Sequence, residues 1–287
     1  MESLLGGDMI YWRYSPATRL GNWLFQYAVA KTLAHGGDVA FYVDPLLNDI
    51  HVRALQRRTD VMRDLKIVRE LPLGASLHEG VPQDVHLMDE RLVRELYQVP
   101  LRIDSFIRLK YAAILAEPLR VSVHVRRGDY LDLPHRHPFV GKSYLKQAIA
   151  RFPCEALFVV CSDDLAWCRN FFSGKRFPGR TFAFVEGGNV LSDLYMATYC
   201  HHAIMSNSTF SWWGAYLNPH YGKRVILPSH WYGIALGRMA SIENVTALSF
   251  SGVEVLENGY EWYMFIKAVA LYIKSILGNL LRRTHLR

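Results

Sequence analysis

The chain has 287 residues, 51% of them hydrophobic and 21% charged, which supports two ordinary domains with apolar cores and excludes a disordered chain. Its formal net charge of +7 suits an anionic ligand, a membrane surface or nucleic acid, without choosing among them. The four cysteines, Cys154, Cys161, Cys168 and Cys200, contain no Cys-x-x-Cys, so reduced thiols and a cytosolic compartment are expected. Met1 to Ile10 lacks the basic-then-apolar pattern of a signal peptide, and no apolar run approaches the ~20 residues of a spanning helix.

Residues 9–14 predict a strand, and 15–21 a loop carrying Pro16 and Gly21. Asn22 is expected to cap a helix over 23–35, with Leu24, Phe25, Ala28, Val29 and Leu33 inward, and Gly36-Gly37 to end it. A second strand over 39–43 completes a βαβ unit. Its first loop ends at a helix N-terminus, which favours ligand oxygens, yet it lacks the Gly-x-Gly-x-x-Gly of a dinucleotide site. Residues 50–115, with Arg53, Arg57, Arg58 and Arg63, show no clear period and read as mostly helical and solvent-facing.

From 116 the pattern sharpens. Val121, Val123 and Val125 alternate with Ser122 and His124, a short β-branched strand running into Arg126-Arg127-Gly128-Asp129. Helices are predicted over 143–151, 164–172 and 190–200, and strands over 156–161, 181–185, 203–205 and 224–227. Strands alternating with helices imply parallel pairing and right-handed crossovers. The expected fold class is therefore α/β, with two halves and a cleft between them.

Polar groups gather at the carboxyl ends of these strands, where open α/β sheets bind ligands. Two adjacent guanidiniums suit a diphosphate, and Asp129 can hold one of them in place. Ser162-Asp163-Asp164 follows one strand, and either aspartate could instead cap the next helix. Ser206-Asn207-Ser208-Thr209 offers hydroxyls and backbone N–H groups to a phosphate. Trp212-Trp213 could wall a sugar, although buried core is the commoner fate of adjacent indoles.

Other motifs fall short. Gly141-Lys142-Ser143 ends like a phosphate loop, but Arg136 stands where its first glycine belongs. His135, His137, His201 and His202 lack metal-ligand spacing. No Asp-x-Asp and no Gly-x-Ser-x-Gly occur. Asn207-Ser208-Thr209 and Asn244-Val245-Thr246 match the glycosylation sequon, which a cytosolic protein would not use.

In order along the chain, His124-Val-Arg126-Arg127-Gly128-Asp129-Tyr130, Ser162-Asp163-Asp164 and Ser192-Asp193-Leu194-Tyr195 are followed by 206–214, Ser-Asn-Ser-Thr-Phe-Ser-Trp-Trp-Gly. Together with Leu20-Gly21-Asn22 and Phe25-Gln26-Tyr27-Ala28 they resemble the motifs of the α-1,2-fucosyltransferase family. The resemblance implies a GT-B-like fold of two Rossmann-like halves facing a cleft: 1–115 on the acceptor side, 116–240 binding the donor, and 241–287 a C-terminal segment. It implies GDP-fucose as donor, inversion at the sugar carbon, a glycan acceptor and no metal or other cofactor. Carried over by position, Arg126 contacts the β-phosphate with His124 and Arg127 in support, and Asp193 hydrogen-bonds guanine. Asp163, Ser208, Thr209, Phe210 and Ser211 join the donor set. Asp129 is the candidate general base or an orienting partner for arginine, and Asn22 positions the acceptor. Two departures from the family pattern bear on the acceptor: Ser15-Pro16-Ala17-Thr18-Arg19 stands in place of a glycine-rich stretch, and Trp23 replaces a glutamine. The alternatives are another fucosyl linkage, another GDP-sugar, or a non-catalytic sugar- or nucleotide-binding module.

The tail, 260–287, is strongly apolar, with Lys267, Lys274 and Arg282 close to one helical stripe and Arg283, His285 and Arg287 adding positive charge at its end. It reads either as a helix packed on the enzyme or as an interfacial helix on anionic lipid. The second reading suits a lipid-linked acceptor and a peripheral position at the inner face of a membrane.

Overall fold

The computed structural model describes residues 9–16, 18–57, 61–233, 252–259 and 262–284. Residues 1–8, Ala17, Arg58, the 244–246 sequon, Tyr260 and 285–287 lie outside the described residues.

The chain divides into two compact units, Met1–Asp104 and Ser105–Arg287. In the first, β1 (Ile10–Arg13), β2 (Val39–Tyr42), β3 (Leu65–Val68) and β4 (Leu77–His78) form a parallel sheet in the order β3-β2-β1-β4. Helix α1 (Leu20–Leu33) connects β1 to β2, with Leu24, Phe25, Tyr27 and Ala28 fully buried. It starts earlier than the sequence suggested. The N-cap is Arg19, without a side-chain cap, and the Arg19 carbonyl already accepts from the amides of Asn22 and Trp23. Burying Leu20 at 5% exposure draws the first turn back, so Asn22 lies inside the helix instead of capping it.

The stretch after residue 50 also differs from its reading as mostly helical. Helices α2 (Asp49–Gln56), α3 (Glu90–Leu96), α4 (Leu101–Lys110) and α5 (Ala112–Leu115) are present, but β3 and β4 complete the first sheet between them. Lys66 breaks the apolar run of β3 and β4 has only two residues, so neither shows the continuous apolar stretch of β1 and β2.

In the second unit β5 (Arg120–Val125), β6 (Leu157–Ser162), β7 (Thr181–Phe184), β8 (His202–Ile204), β9 (Val225–Pro228) and β10 (Val253–Leu256) form a parallel sheet in the order β10-β9-β8-β5-β6-β7. Helices α6 (Lys142–Ala150), α7 (Leu165–Phe171), α8 (Val190–Thr198) and α9 (Thr209–Tyr216) supply crossovers, and α10 (Trp262–Thr284) follows β10. Val121, Val123 and Val125 are fully buried in a core with Phe158, Tyr144 and Ile226, each aliphatic side chain contributing roughly 1.5–3 kcal/mol. Trp212 and Trp213 are fully buried and edge-to-face, so they are core and not a sugar wall.

The strand order places the ligand crevice. The chain runs outward from β5 through β6 to β7, then returns to β8 on the other side of β5. The β5/β8 junction is therefore a topological switch point, where the connections diverge and leave space beyond the strand ends. The first sheet repeats the arrangement between β1 and β4.

Candidate active site

The sharp turn after β5 is possible because residue 128 is glycine. A Cβ there would lie 2.5 Å from Asp163 Oδ2. With none, Asp163 approaches closely: Oδ1 accepts from the Arg127 amide at 2.9 Å, and Oδ2 pairs with Arg126 Nη1 at 2.9 Å. Arg126 Nη2 donates to Asp129 Oδ1 at 2.6 Å. Two carboxylates thus hold one guanidinium in a fixed orientation. Arg127 is held differently, by Asp164 Oδ2 at 3.0 Å and by the Trp167 ring, whose centroid lies 4.0 Å from its guanidinium carbon. Of the two aspartates open to a capping role, Asp164 takes it, accepting from the Trp167 amide at 3.1 Å.

Across the switch point, His124 Nδ1 and Ser206 Oγ are 2.7 Å apart, and the imidazole packs 5.1 Å from the Phe210 ring. Burial, with the Arg126 charge beside it, pushes the His124 pKa down to about 3, so the ring is neutral at pH 7 and adds no charge to the site. Ser208 is the N-cap of α9. The amides that begin α9 at Thr209, Phe210 and Ser211 precede its intrahelical ladder and point out of the helix end. The Ser211 hydroxyl donates within its own turn, to the carbonyls of Ser206 at 2.7 Å or Ser208 at 2.9 Å.

Asp193 lies in the first turn of α8, set by a capping box between Asn189 and Ser192. Its Oδ1 is buried with no hydrogen-bond partner. Burial pushes its pKa up to about 6, partly offset by Lys110. Asp193, His124, Phe210 and Ser211 line one small cavity of about 20 Å³, room for a single water.

Tyr130 was not singled out by sequence reasoning. Its ring lies 5.5 Å from the Arg126 guanidinium carbon, and it stacks on His137 at 4.8 Å. Its hydroxyl donates to the Asn207 carbonyl at 3.0 Å, and burial raises its pKa. The signal lay in its place one residue after Asp129, but a lone tyrosine carries no spacing rule. His201 and His202 also have structural work: their Nδ1 atoms accept the amides of Arg120 and Arg224, each at 3.0 Å. Among the described residues no group of three or more His, Cys, Asp and Glu could hold a metal ion.

In the first unit, Asn22 Oδ1 accepts from Gln83 Nε2 at 3.3 Å, placing it where β1 and β4 diverge. The Gly80 carbonyl accepts from Trp12 Nε1 at 3.0 Å and Gln26 Nε2 at 2.6 Å. Trp23 is buried, its Nε1 donating to Thr18 Oγ1 at 2.6 Å.

Two parallel-sheet α/β units, with a fixed guanidinium and a helix N-terminus at the second unit's switch point, define the GT-B class of folds. A solved glycosyl transferase family 9 structure from Veillonella parvula shares the fold, with a TM-score of 0.50 at 10% identity, covering 98% of this chain and 99% of that one. In this chain, residues 100–233 match the description "Glycosyl transferase family 11". It is 29% identical over 164 residues to the Escherichia coli "O-antigen biosynthesis glycosyltransferase WbnK", covering 52% of this chain and 53% of the relative. It is 26% identical over 238 residues to the Bos taurus "Galactoside alpha-(1,2)-fucosyltransferase 1", covering 72% of this chain and 66% of the relative. The alignments therefore span about half to two thirds of these curated relatives.

Proposed function

We propose that the chain transfers fucose from GDP-fucose to a hydroxyl of a galactoside-type glycan, with inversion and without a metal. The observation that carries this reading is the occurrence, in one unit, of a rigidly held Arg126 and a buried Asp193 Oδ1 without a hydrogen-bond partner. The guanidinium suits a diphosphate, and a carboxylate oxygen suits the two adjacent N–H donors of guanine. The relatives' names, an α-(1,2)-fucosyltransferase and an O-antigen glycosyltransferase, support the same donor and a glycan acceptor.

In the reaction, the acceptor oxygen bonds to the fucose anomeric carbon as the bond from that carbon to the β-phosphate oxygen breaks. GDP leaves with the electron pair, and the proton of the acceptor hydroxyl passes to water or to a phosphate oxygen of the departing GDP. Arg126 offsets the charge growing on the β-phosphate, aided by Arg127 and the α9 amides of Thr209 and Phe210. His124 supports neutrally, Ser208 and Ser211 shape the turn, and Asp163 orients Arg126. Of the two roles open to Asp129, its ion pair with Arg126 favours orientation, because the oxygen that would take a proton already holds the guanidinium. The acceptor is assigned to the first unit, with Asn22 as its positioning group.

The acceptor reading extends to a lipid-linked glycan, with peripheral membrane contact through 260–287. No helix among the described residues is long and apolar enough to cross a membrane, while Phe265, Ile266, Ile273 and Leu277 of α10 are exposed. The deciding experiment mixes the chain, GDP-fucose and a panel of β-galactoside-terminated acceptors in excess chelator, and measures GDP release and product linkage. A new α-1,2 linkage is expected. Donor binding without transfer to any acceptor would favour a binding module, and activity restored only by Mg²⁺ or Mn²⁺ would overturn metal independence.

A further inference from the structure

Helix α10 reaches the arginine turn. Lys267 Nζ donates to the Leu131 carbonyl at 2.6 Å, and Leu131 closes the 3-10 turn Gly128–Leu131 that carries Asp129 and Tyr130. Within that turn the Leu131 amide donates to the Arg127 carbonyl at 3.0 Å, and Asp129 holds Arg126. The last carbonyls of a helical turn lack partners inside it and carry its negative end, so an ammonium group is well matched there.

The lysine is mounted firmly. β10 extends the sheet beside β9, and the Gly141 amide donates to the Asn258 carbonyl at 2.7 Å. Asn258 clasps the His230 backbone from both sides, Oδ1 accepting its amide at 2.6 Å and Nδ2 donating to its carbonyl at 2.9 Å. A Cβ at Gly141 would collide with the Gly259 carbonyl, so segment and helix lie in close contact there. On α10, Met264 and Ala268 are buried at 4% and 3% exposure, a spacing of four that defines the packed stripe. Lys267 stands at the edge of that stripe, not on a loose tail.

We infer that Lys267 is a positioning residue: it pins the Gly128–Leu131 turn and so fixes Asp129, which orients Arg126 toward the leaving phosphate. This rests on the donor-site reading above, and it gives the C-terminal helix a part in the chemistry of the second unit that the motifs do not reveal. The contact is made by one lysine well over a hundred residues from the turn it holds.

The test compares Lys267→Met, which keeps the apolar stem, with Lys267→Arg, which restores a donor, in the full chain. Amide exchange across residues 128–133 should speed up on the order of ten-fold in Lys267→Met and stay near native in Lys267→Arg. kcat with GDP-fucose should fall on the order of ten-fold in Lys267→Met, with KM for the donor within about two-fold and Lys267→Arg largely rescued. Unchanged exchange in this turn overturns the inference. So does a kcat loss shared equally by both variants and tracking a lower Tm, which marks a merely structural contact. If the native chain forms no GDP from GDP-fucose, the transferase reading fails by itself, and the exchange measurement still decides the clamp.

Discussion

The Tyr130 hydroxyl donates to the Asn207 carbonyl at 3.0 Å, joining the turn after β5 to the turn after β8 across the switch point. One face of the ring lies near the Arg126 guanidinium, so a single side chain spans both turns. Tyr130→Phe keeps the ring and loses the tie. It should cost about 1 kcal/mol of stability and lower kcat several-fold while KM for GDP-fucose moves little. Thermal melts with steady-state kinetics check this; native turnover would show that the two turns hold their spacing without the bond.

Arg126→Ala should lower turnover about 10²–10³-fold, the scale of losing one preorganised group at a developing charge. Arg126→Lys should rescue poorly, because a point charge cannot pair with Asp129 and Asp163 and still present a fork. The alanine variant also leaves those two carboxylates without their shared cation, so circular dichroism must accompany the assay. Near-native turnover in folded Arg126→Ala would remove Arg126 from the mechanism.

Much of this second unit was legible in the sequence for physical reasons. Val121, Val123 and Val125 alternate with Ser122 and His124 because one face of β5 packs into the apolar core and the other carries polar groups, and Arg126-Arg127-Gly128-Asp129 is contiguous because one turn carries it. The motif residues His124, Asp163, Asp193, Phe210 and Ser211 do come together near the central strand β5, at the turn beneath Gly128 or around the small cavity. What stayed hidden depended on partners distant in the chain. Strand Val253–Leu256 is interrupted by Glu254 and buries only Leu256, so it gains meaning only beside β9. Tyr130 acts through Asn207, and Lys267 through Leu131. The start of α1 was misjudged because a polar residue ahead of an apolar run suggested a cap, whereas burial of Leu20 decided it.

Asp193 gives a signed pH dependence. Its folded pKa of about 6 lies above the ordinary 3.8 because burial disfavours the charge. Between those values the folded chain keeps a proton that the unfolded chain has lost, so this group's contribution to stability falls as pH rises from about 3.8 to about 6. Asp193→Asn should remove that slope in chemical denaturation series. If the ionised carboxylate receives guanine, GDP affinity of the native chain should rise as pH climbs through about 6. The asparagine variant should bind roughly ten- to a hundred-fold more weakly at pH 7, the cost of losing hydrogen bonds to a charged acceptor. A variant that is more stable and binds less would mark Asp193 as a group held for the ligand. Unaltered GDP affinity would place the base elsewhere.

The last prediction concerns the outer face of α10. Met264 and Ala268 are buried, whereas Phe265, Ile266, Ile273, Ile276 and Leu277 are each 42–54% exposed. No acidic residue occurs from Trp262 to Arg287, while Lys267, Lys274, Arg282, Arg283 and Arg287 all do. A helix with apolar side chains outward and only positive charge matches an anionic lipid surface, each basic group near it contributing about 1 kcal/mol. Truncation at Gly259 is a poor test alone, since it also removes the buried Met264 and the Lys267 contact. Paired substitution Ile273→Ser with Leu277→Ser leaves both in place. In flotation with phosphatidylserine-rich vesicles, the native chain should rise with the lipid, less so at high salt because screening weakens the attraction. The double variant should stay largely at the bottom of the gradient while keeping its melting temperature. Equal flotation of both chains would show that this face is not what meets the membrane, and absence of the native chain from the lipid fraction would end the membrane reading altogether.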